Sequence, residues 1–375
     1  MKKILFAANR ESFYTKFLIP QLKYFKENGY EVHIASKRED LVVPYCDKNF
    51  DVNFARSLNL KENIESFKQM KKILTENEYD IISCHTPFGG AITRLAAKTC
   101  KLKNTKIVYM AHGFHFYKGA GLLKWLVFYT AEKYLSRFTD TIITINMEDY
   151  KVAKDNFKTN VKYVPGVGLD TEKFNFKMTI KEKLELRKSL GLKKDDFVMI
   201  YAAELSPRKG QEWLILTLEK LLKENQNYHI LLPGIDSANG KYHALVKKLS
   251  LDRQIHFLGF RNDIPKLLNI VDMAISTSRQ EGLPVNIMEA IYCNLPIVAT
   301  DCRGNRDLIK DGKNGFVVTA NDKEGFIKKI AYYAKIDKNK KAKIKEFNQK
   351  FIQKFLLENV IDEVVKITTN QAVIK

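Results

Sequence analysis

Two hydrophobic patterns alternate along the chain. Short aliphatic runs occur at Lys3–Ala8, Glu31–Ser36, Asp80–His85, Lys106–His112, Thr141–Asn146 and Lys162–Pro165. Their apolar residues are continuous rather than alternating, as strands buried on both faces require. Longer segments with helical spacing lie between most of them. Tyr14–Asn28 puts Phe17, Leu18, Leu22 and Phe25 on one stripe. Ala120–Arg137 is long enough for about five turns. After residue 170 the pattern restarts, with runs at Phe197–Glu204, His229–Gly234, Ile255–Phe260, Met273–Ser278, Pro296–Asp301 and Gly315–Thr319, and helical segments such as Gln211–Glu224 and Pro284–Cys293. Strand–helix alternation predicts an α/β fold with parallel sheets. Its repetition predicts two Rossmann-like, doubly wound domains of similar size, over 1–168 and 169–354, divided at the turn Pro165–Gly168. Ile336–Ile367 reads as helical with no strand after it, and the last helix, about 355–375, is expected to complete the first domain. Open parallel sheets bind ligands outside the carboxyl ends of their strands, so the informative residues should follow strands directly.

Composition narrows the classes. The chain has 375 residues, 45% hydrophobic and 28% charged, which excludes a disordered, collagenous or disulfide-scaffold protein. The net charge is +20. Residues 1–168 carry 27 basic and 17 acidic side chains and the remainder 36 and 26, so the excess is even and forms no basic tail. It reads either as a solubilising surface or as a match for an anionic partner: nucleic acid, phospholipid or a phosphorylated substrate. The five cysteines, none in a CxxC pair, fit reduced thiols in a cytoplasm and no zinc site. The apolar run Ile4–Ala8 is too short for a signal peptide, and no stretch approaches the ~18 apolar residues of a membrane span. An integral membrane protein is not expected.

Three segments after strands in the second half carry candidate chemistry. In Glu204–Gly210, adjacent Arg208 and Lys209 precede a predicted helix, where two cations, free amides and the helix dipole favour a phosphate group. A merely solvated basic loop has the same composition. In Ser278–Ala290, Glu281 stands at a strand end, Gly282 permits close approach, and Glu289 lies about one and a half turns into the next helix among Val285, Ile287 and Met288. A glutamate on an apolar helix face is costly to bury unpaired. The two carboxylates read either as receivers of sugar hydroxyls or as a capping and a surface glutamate. The third segment is the turn Gly259-Phe260-Arg261, followed by Asp263, which reads as a base-contacting turn or as a plain one.

Together and in this order, these segments resemble the retaining nucleotide-sugar glycosyltransferases of family 4, which adopt the GT-B fold of two Rossmann-like domains facing a central cleft. The family's Glu-x7-Glu signature matches Glu281 and Glu289, with Gly282-Leu283-Pro284 between them. Arg208-Lys209-Gly210 matches its basic loop, and Arg303–Phe316 resembles its Gly-x-x-Glu/Asp-Ile…Asp-Gly-x-Asn-Gly stretch. The resemblance spans the chain and is strongest across 197–320.

The resemblance implies roles residue by residue. Arg208 and Lys209 would neutralise the departing diphosphate, and Glu289 would bind the ribose hydroxyls. Glu281 would sit against the donor sugar, with the backbone at Gly282 and Leu283 holding sugar and phosphate. Phe260 and Arg261 would contact the base, usually uracil. In the first half, His112 resembles the histidine near the anomeric carbon, while His85 and His115 are candidates for the acceptor side. The donor would be a UDP-sugar, used as substrate with no cofactor. No metal is implied, because no Asp-x-Asp occurs and the cations stand in its place.

Two departures stand out. The family's Gly-Arg pair is Ala203-Glu204 here, so one basic contact is absent, and Ala7–Phe13 replaces its glycine-rich first loop. Family habit and basicity lead to the expectation of a lipid-linked glycan acceptor in capsule or exopolysaccharide synthesis, in a cytoplasmic protein peripheral on the inner membrane face. Ala120–Arg137, with Trp125, Phe128 and Tyr129 among Lys118, Lys124 and Lys133, reads as a basic amphipathic helix for an anionic membrane or as a core helix. The alternatives are a nucleotide-sugar 2-epimerase of the same fold, which the Glu-x7-Glu spacing opposes, and a basic nucleic-acid-binding protein. The latter has only charge in its favour, so no nucleic-acid partner is expected.

Overall fold

The protein is described by a computed structural model that covers residues 1–55, 59–102 and 104–370. It divides into two units: Met1–Gly168 with Leu357–Lys375, and Leu169–Leu356. The changeover therefore falls two residues beyond the expected position at 354.

Unit 1 is built on a seven-stranded sheet in the order β3-β2-β1-β4-β5-β6-β7. Its strands are β1 (Lys3–Arg10), β2 (Glu31–Lys37), β3 (Lys48–Asp51), β4 (Ile81–His85), β5 (Lys106–Ala111), β6 (Thr141–Thr144) and β7 (Asn160–Tyr163). Every pairing is parallel. Successive residues of β1 feed opposite faces: Leu5 and Ala7 enter one core, Ile4, Phe6 and Ala8 the other. This is why the strand reads as a continuous apolar run. The edge strand β3, Lys-Asn-Phe-Asp, has no such run and was not expected.

Two expected helices are interrupted. The stripe of Tyr14–Asn28 is carried by separate helices, Glu11–Phe17 and Ile19–Glu27. Pro20 sits in the first turn of the second, where its missing N–H costs nothing. Leu18, Leu22 and Phe25 are buried as the stripe requires. The expected helix 336–367 is Lys338–Phe351, a 3-10 turn at Ile352–Phe355, and Leu357–Thr369. The last helix buries Val365 in the core of unit 1.

Unit 2 has a six-stranded parallel sheet, β10-β9-β8-β11-β12-β13. The strands are β8 (Phe197–Ile200), β9 (Tyr228–Pro233), β10 (Ile255–Gly259), β11 (Met273–Ser276), β12 (Ile297–Thr300) and β13 (Gly315–Val318). The order reverses between β8 and β11, which makes the ends of these two strands the topological switch point where a ligand binds. In unit 1 the equivalent place is between β1 and β4. No helix among the described residues is long and apolar enough to cross a membrane.

Candidate active site

The loop after β8 and the loop after β11 are laced together in unit 2. Tyr201 Oη lies 3.0 Å from the Lys209 carbonyl oxygen and 2.7 Å from Ser278 Oγ. The Thr277 hydroxyl lies 3.1 Å from the carbonyl oxygens of both Lys209 and Gly210, and the Arg279 amide donates to the Arg208 carbonyl at 2.9 Å. Gly210, at φ +72°, caps the helix Gln211–Glu224; a Cβ there would stand 2.3 Å from the Thr277 carbonyl oxygen. Only glycine satisfies both the left-handed backbone and the close approach. Gln211 is fully buried, accepting from the Ser206 amide at 3.2 Å and donating to the Glu204 carbonyl at 2.8 Å. The loop that carries the two cations is thereby fixed at both ends.

These contacts bring Arg208, Lys209 and Glu281 together. Lys209 Nζ is 2.5 Å from Glu281 Oε1, Ser278 Oγ donates to the same oxygen at 2.5 Å, and Arg208 is 3.5 Å from Oε2. Arg208 also donates to the Gln280 carbonyl at 3.0 Å, and Arg303 Nε donates to that of Glu281 at 2.9 Å. The Lys209 and Glu281 side chains are only 11% and 9% exposed, while that of Arg208 is 46% exposed and open to a ligand. Gly282 and Leu283 follow directly, and Leu283 is buried. A Cβ on Gly304 would stand 2.5 Å from the Gly282 carbonyl oxygen, so the chain beyond β12 backs this turn closely.

Glu289 lies on the helix Val285–Tyr292 between buried Met288 and Ala290. Its required partner is Lys173, whose Nζ is 2.5 Å from Oε1. Lys173 comes from a 3-10 turn, Glu172–Phe174, docked by the Phe174 ring 4.9 Å from that of Tyr292. At the end of β10, Phe260 is 75% exposed. Arg261 is already engaged: its guanidinium forms a two-point pair with Asp263 at 2.7 and 2.6 Å, which holds its pKa above the usual value. The exposed ring and the turn backbone, rather than the Arg261 charge, are what this place offers a base.

The candidate histidines of unit 1 follow β4 and β5. His85 Nδ1 is 3.1 Å from His112 Nε2, and His85 Nε2 is 3.1 Å from Ser83 Oγ. Phe13 meets the His112 ring edge-on at 4.9 Å. Burial pushes the His112 pKa down to about 4 and that of His85 well below its usual value, with the neighbouring imidazole adding to the effect on His85. Both rings are therefore neutral at pH 7. His115 stacks on Phe128 at 4.7 Å and lines a cavity of about 410 Å³ with Asn9, Phe13, Lys16, Phe17 and Phe88. Asn9, in place of the family's glycine-rich loop, ties β1 to the loop after β4: its Oδ1 accepts from the Gly89 amide at 2.7 Å and from the Thr86 hydroxyl at 2.6 Å.

The sequence reading missed four of these residues. Ser278 and Gln211 carry a signal of position, one directly after a strand and one opening a helix. Asn9 lies within the segment read as lacking the glycine-rich loop. Lys173 has no local signal, because its partner is 116 residues away.

The model of the family "Glycosyl transferases group 1" matches residues 182–351, and that of "Glycosyl transferase 4-like" matches residues 3–146. EpsD of Bacillus subtilis (strain 168), a glycosyltransferase by assignment, is 38% identical over 331 residues, 88% of this chain and 86% of that one. The chain belongs to the family 4 glycosyltransferases. A second relative of this glycosyltransferase is the UDP-Gal:alpha-D-GlcNAc-diphosphoundecaprenol alpha-1,3-galactosyltransferase of Escherichia coli, 24% identical over 82% of this chain and 81% of that one. Among solved structures, HepE of Anabaena in complex with UDP superposes with a TM-score of 0.79 at 20% identity, over 99% of this chain and 100% of that one. The transferase thus has the GT-B fold, and the family matches favour transfer over the epimerase alternative.

Proposed function

We propose that this glycosyltransferase moves a hexosyl group from a UDP-sugar to a hydroxyl of a lipid-linked glycan, with retention at the anomeric carbon and without a metal or cofactor. The observation that carries the reading is the cluster of Arg208, Lys209 and Glu281 at the switch point of the second sheet. Cations held there before substrate arrives meet the charge that grows on a diphosphate as its bond to the sugar breaks. In this reading Glu289 receives ribose hydroxyls, Phe260 lies against the base, and the Gly282–Leu283 turn presents backbone to the sugar. His112, neutral and hydrogen-bonded through His85, orients a donor or acceptor hydroxyl without taking on charge. Retention brings the acceptor hydroxyl in on the face the diphosphate leaves. The new glycosidic bond forms there, and the hydroxyl proton passes to the departing phosphate oxygen.

The E. coli relative is named for a UDP-sugar donor and a diphosphoundecaprenol acceptor, and this supports the same classes here. An acceptor of that kind places the reaction at the inner face of a membrane with the protein peripheral to it. The test is UDP release with a panel of UDP-hexoses and an undecaprenyl-diphosphate-linked sugar. One hexose should be transferred, with the anomeric configuration of the donor kept in the product. Absence of UDP binding, or inversion at the anomeric carbon, would overturn the reading.

A further inference from the structure

Unit 1 carries an apolar surface for which the donor chemistry has no use. From Leu122 to Leu135 the chain is helical: Leu122–Lys124 is α, Trp125–Tyr129 forms a π turn, and Thr130–Leu135 is α again. Trp125, Phe128 and Tyr129, the aromatic residues that would make an amphipathic helix membrane-active, turn inward and pack on the core of unit 1. Leu122, Leu123 and Leu126 turn outward and are 88%, 73% and 70% exposed. Single exposed leucines are ordinary on a protein surface, whereas three within five residues of one helix form a patch that marks an interaction. The lysines nearest in sequence, Lys118, Lys124 and Lys133, are all exposed. The carboxylate nearest them in sequence, Glu132, is buried on Arg94 at 2.8 Å, and the Glu148 carboxylate accepts from the Lys118 amide at 2.7 Å, so three lysines here outnumber one part-buried carboxylate.

We propose that Leu122, Leu123 and Leu126 enter the acyl boundary of an anionic lipid bilayer, while Lys118, Lys124 and Lys133 meet its phosphate headgroups. The inference deepens the acceptor reading above and rests on it. Exposed leucines flanked along the chain by exposed lysines fit a surface that is hydrocarbon beneath and negatively charged above. The π turn also joins this surface to the candidate acceptor cavity. Phe128 stacks on His115 at 4.7 Å and stands 6.3 Å from Phe88, and both line that cavity. A bilayer at the leucines would therefore lie one helical turn from the place where a lipid-linked sugar must enter.

The test is co-sedimentation of the full chain with phosphatidylglycerol-containing vesicles and with pure phosphatidylcholine vesicles, paired with UDP calorimetry. Wild-type protein should bind the anionic vesicles and release with salt. The triple variant L122Q/L123Q/L126Q should lose about tenfold or more in partitioning, and K118E/K124E should lose binding to anionic vesicles. Both should keep the wild-type melting temperature and UDP affinity, because the altered side chains are exposed and lie in the other unit from the donor residues. Unchanged partitioning of the leucine variant, or equal wild-type binding to neutral vesicles, would overturn the proposal. So would a wild-type dimer that ignores vesicles and is dissolved by the leucine changes, since a second copy would then cover the patch. Failure of the donor reading shows instead as absent UDP binding in the wild type, with the vesicle result standing by itself.

Discussion

Lys173 and Glu289 form a 2.5 Å ion pair across 116 residues of chain, and the lysine satisfies a carboxylate that the helix Val285–Tyr292 would otherwise bury alone. Glu289→Ala should weaken UDP binding by about 1.5–3 kcal/mol, the usual worth of hydrogen bonds to a charged acceptor. Calorimetry with UDP checks this, and unchanged affinity would remove Glu289 from the ribose site.

Arg208 and Lys209 should separate by experiment. The Arg208 side chain is 46% exposed, so Arg208→Ala should lower turnover by about 10²–10³ while leaving the melting temperature near wild type. Lys209, 11% exposed and bound to Glu281, should cost both turnover and stability when replaced by alanine. Turnover near wild type in both variants would reject their role at the diphosphate.

EDTA should leave turnover unchanged if these two cations do the work of a metal. An assay of UDP release before and after chelation, with Mg²⁺ or Mn²⁺ added back, is the check. Activity that vanishes and returns with the ion would contradict the proposed chemistry.

Acid should destabilise the fold before it titrates the site. His112 and His256 have folded pKa values lowered to about 4 by burial, against 6.5 when unfolded. Between these values the unfolded chain binds protons that the folded one refuses, so stability falls as pH drops through this window and levels off below it. Thermal midpoints should decline from pH 7 to pH 5, and His256→Phe should flatten the decline. Turnover between pH 6 and 8 should show no step from His112, which stays neutral throughout.

The parallel sheets were legible because strands buried on both faces leave continuous apolar runs, and the switch-point loops were legible because their residues are consecutive. The polar edge strand Lys48–Asp51 leaves no such trace. The break at Leu18 is set by Pro20, a residue the apolar stripe passes over. Ser278 and Lys173 gain meaning only from partners that the fold brings to them. The helix 120–137 was legible as amphipathic, facing either a membrane or the core: Trp125, Phe128 and Tyr129 pack inward as the core reading holds, at ordinary helical spacing, while the outward-facing leucines were passed over because the aromatic residues and lysines drew the reading.

Glu281 has a consequence for ionic strength. In the free protein this carboxylate already acts as the counterion of Lys209, held in place by Ser278. An arriving diphosphate meets Lys209 with its charge already balanced, and dissolved ions compete with it chiefly at the exposed Arg208 side chain. Its affinity should then change little between low and physiological salt, far less than at a cluster of bare surface lysines, whose attraction is screened over about 10 Å at 0.1 M. Donor binding and any contact made by the scattered surface lysines should therefore be separable by salt alone.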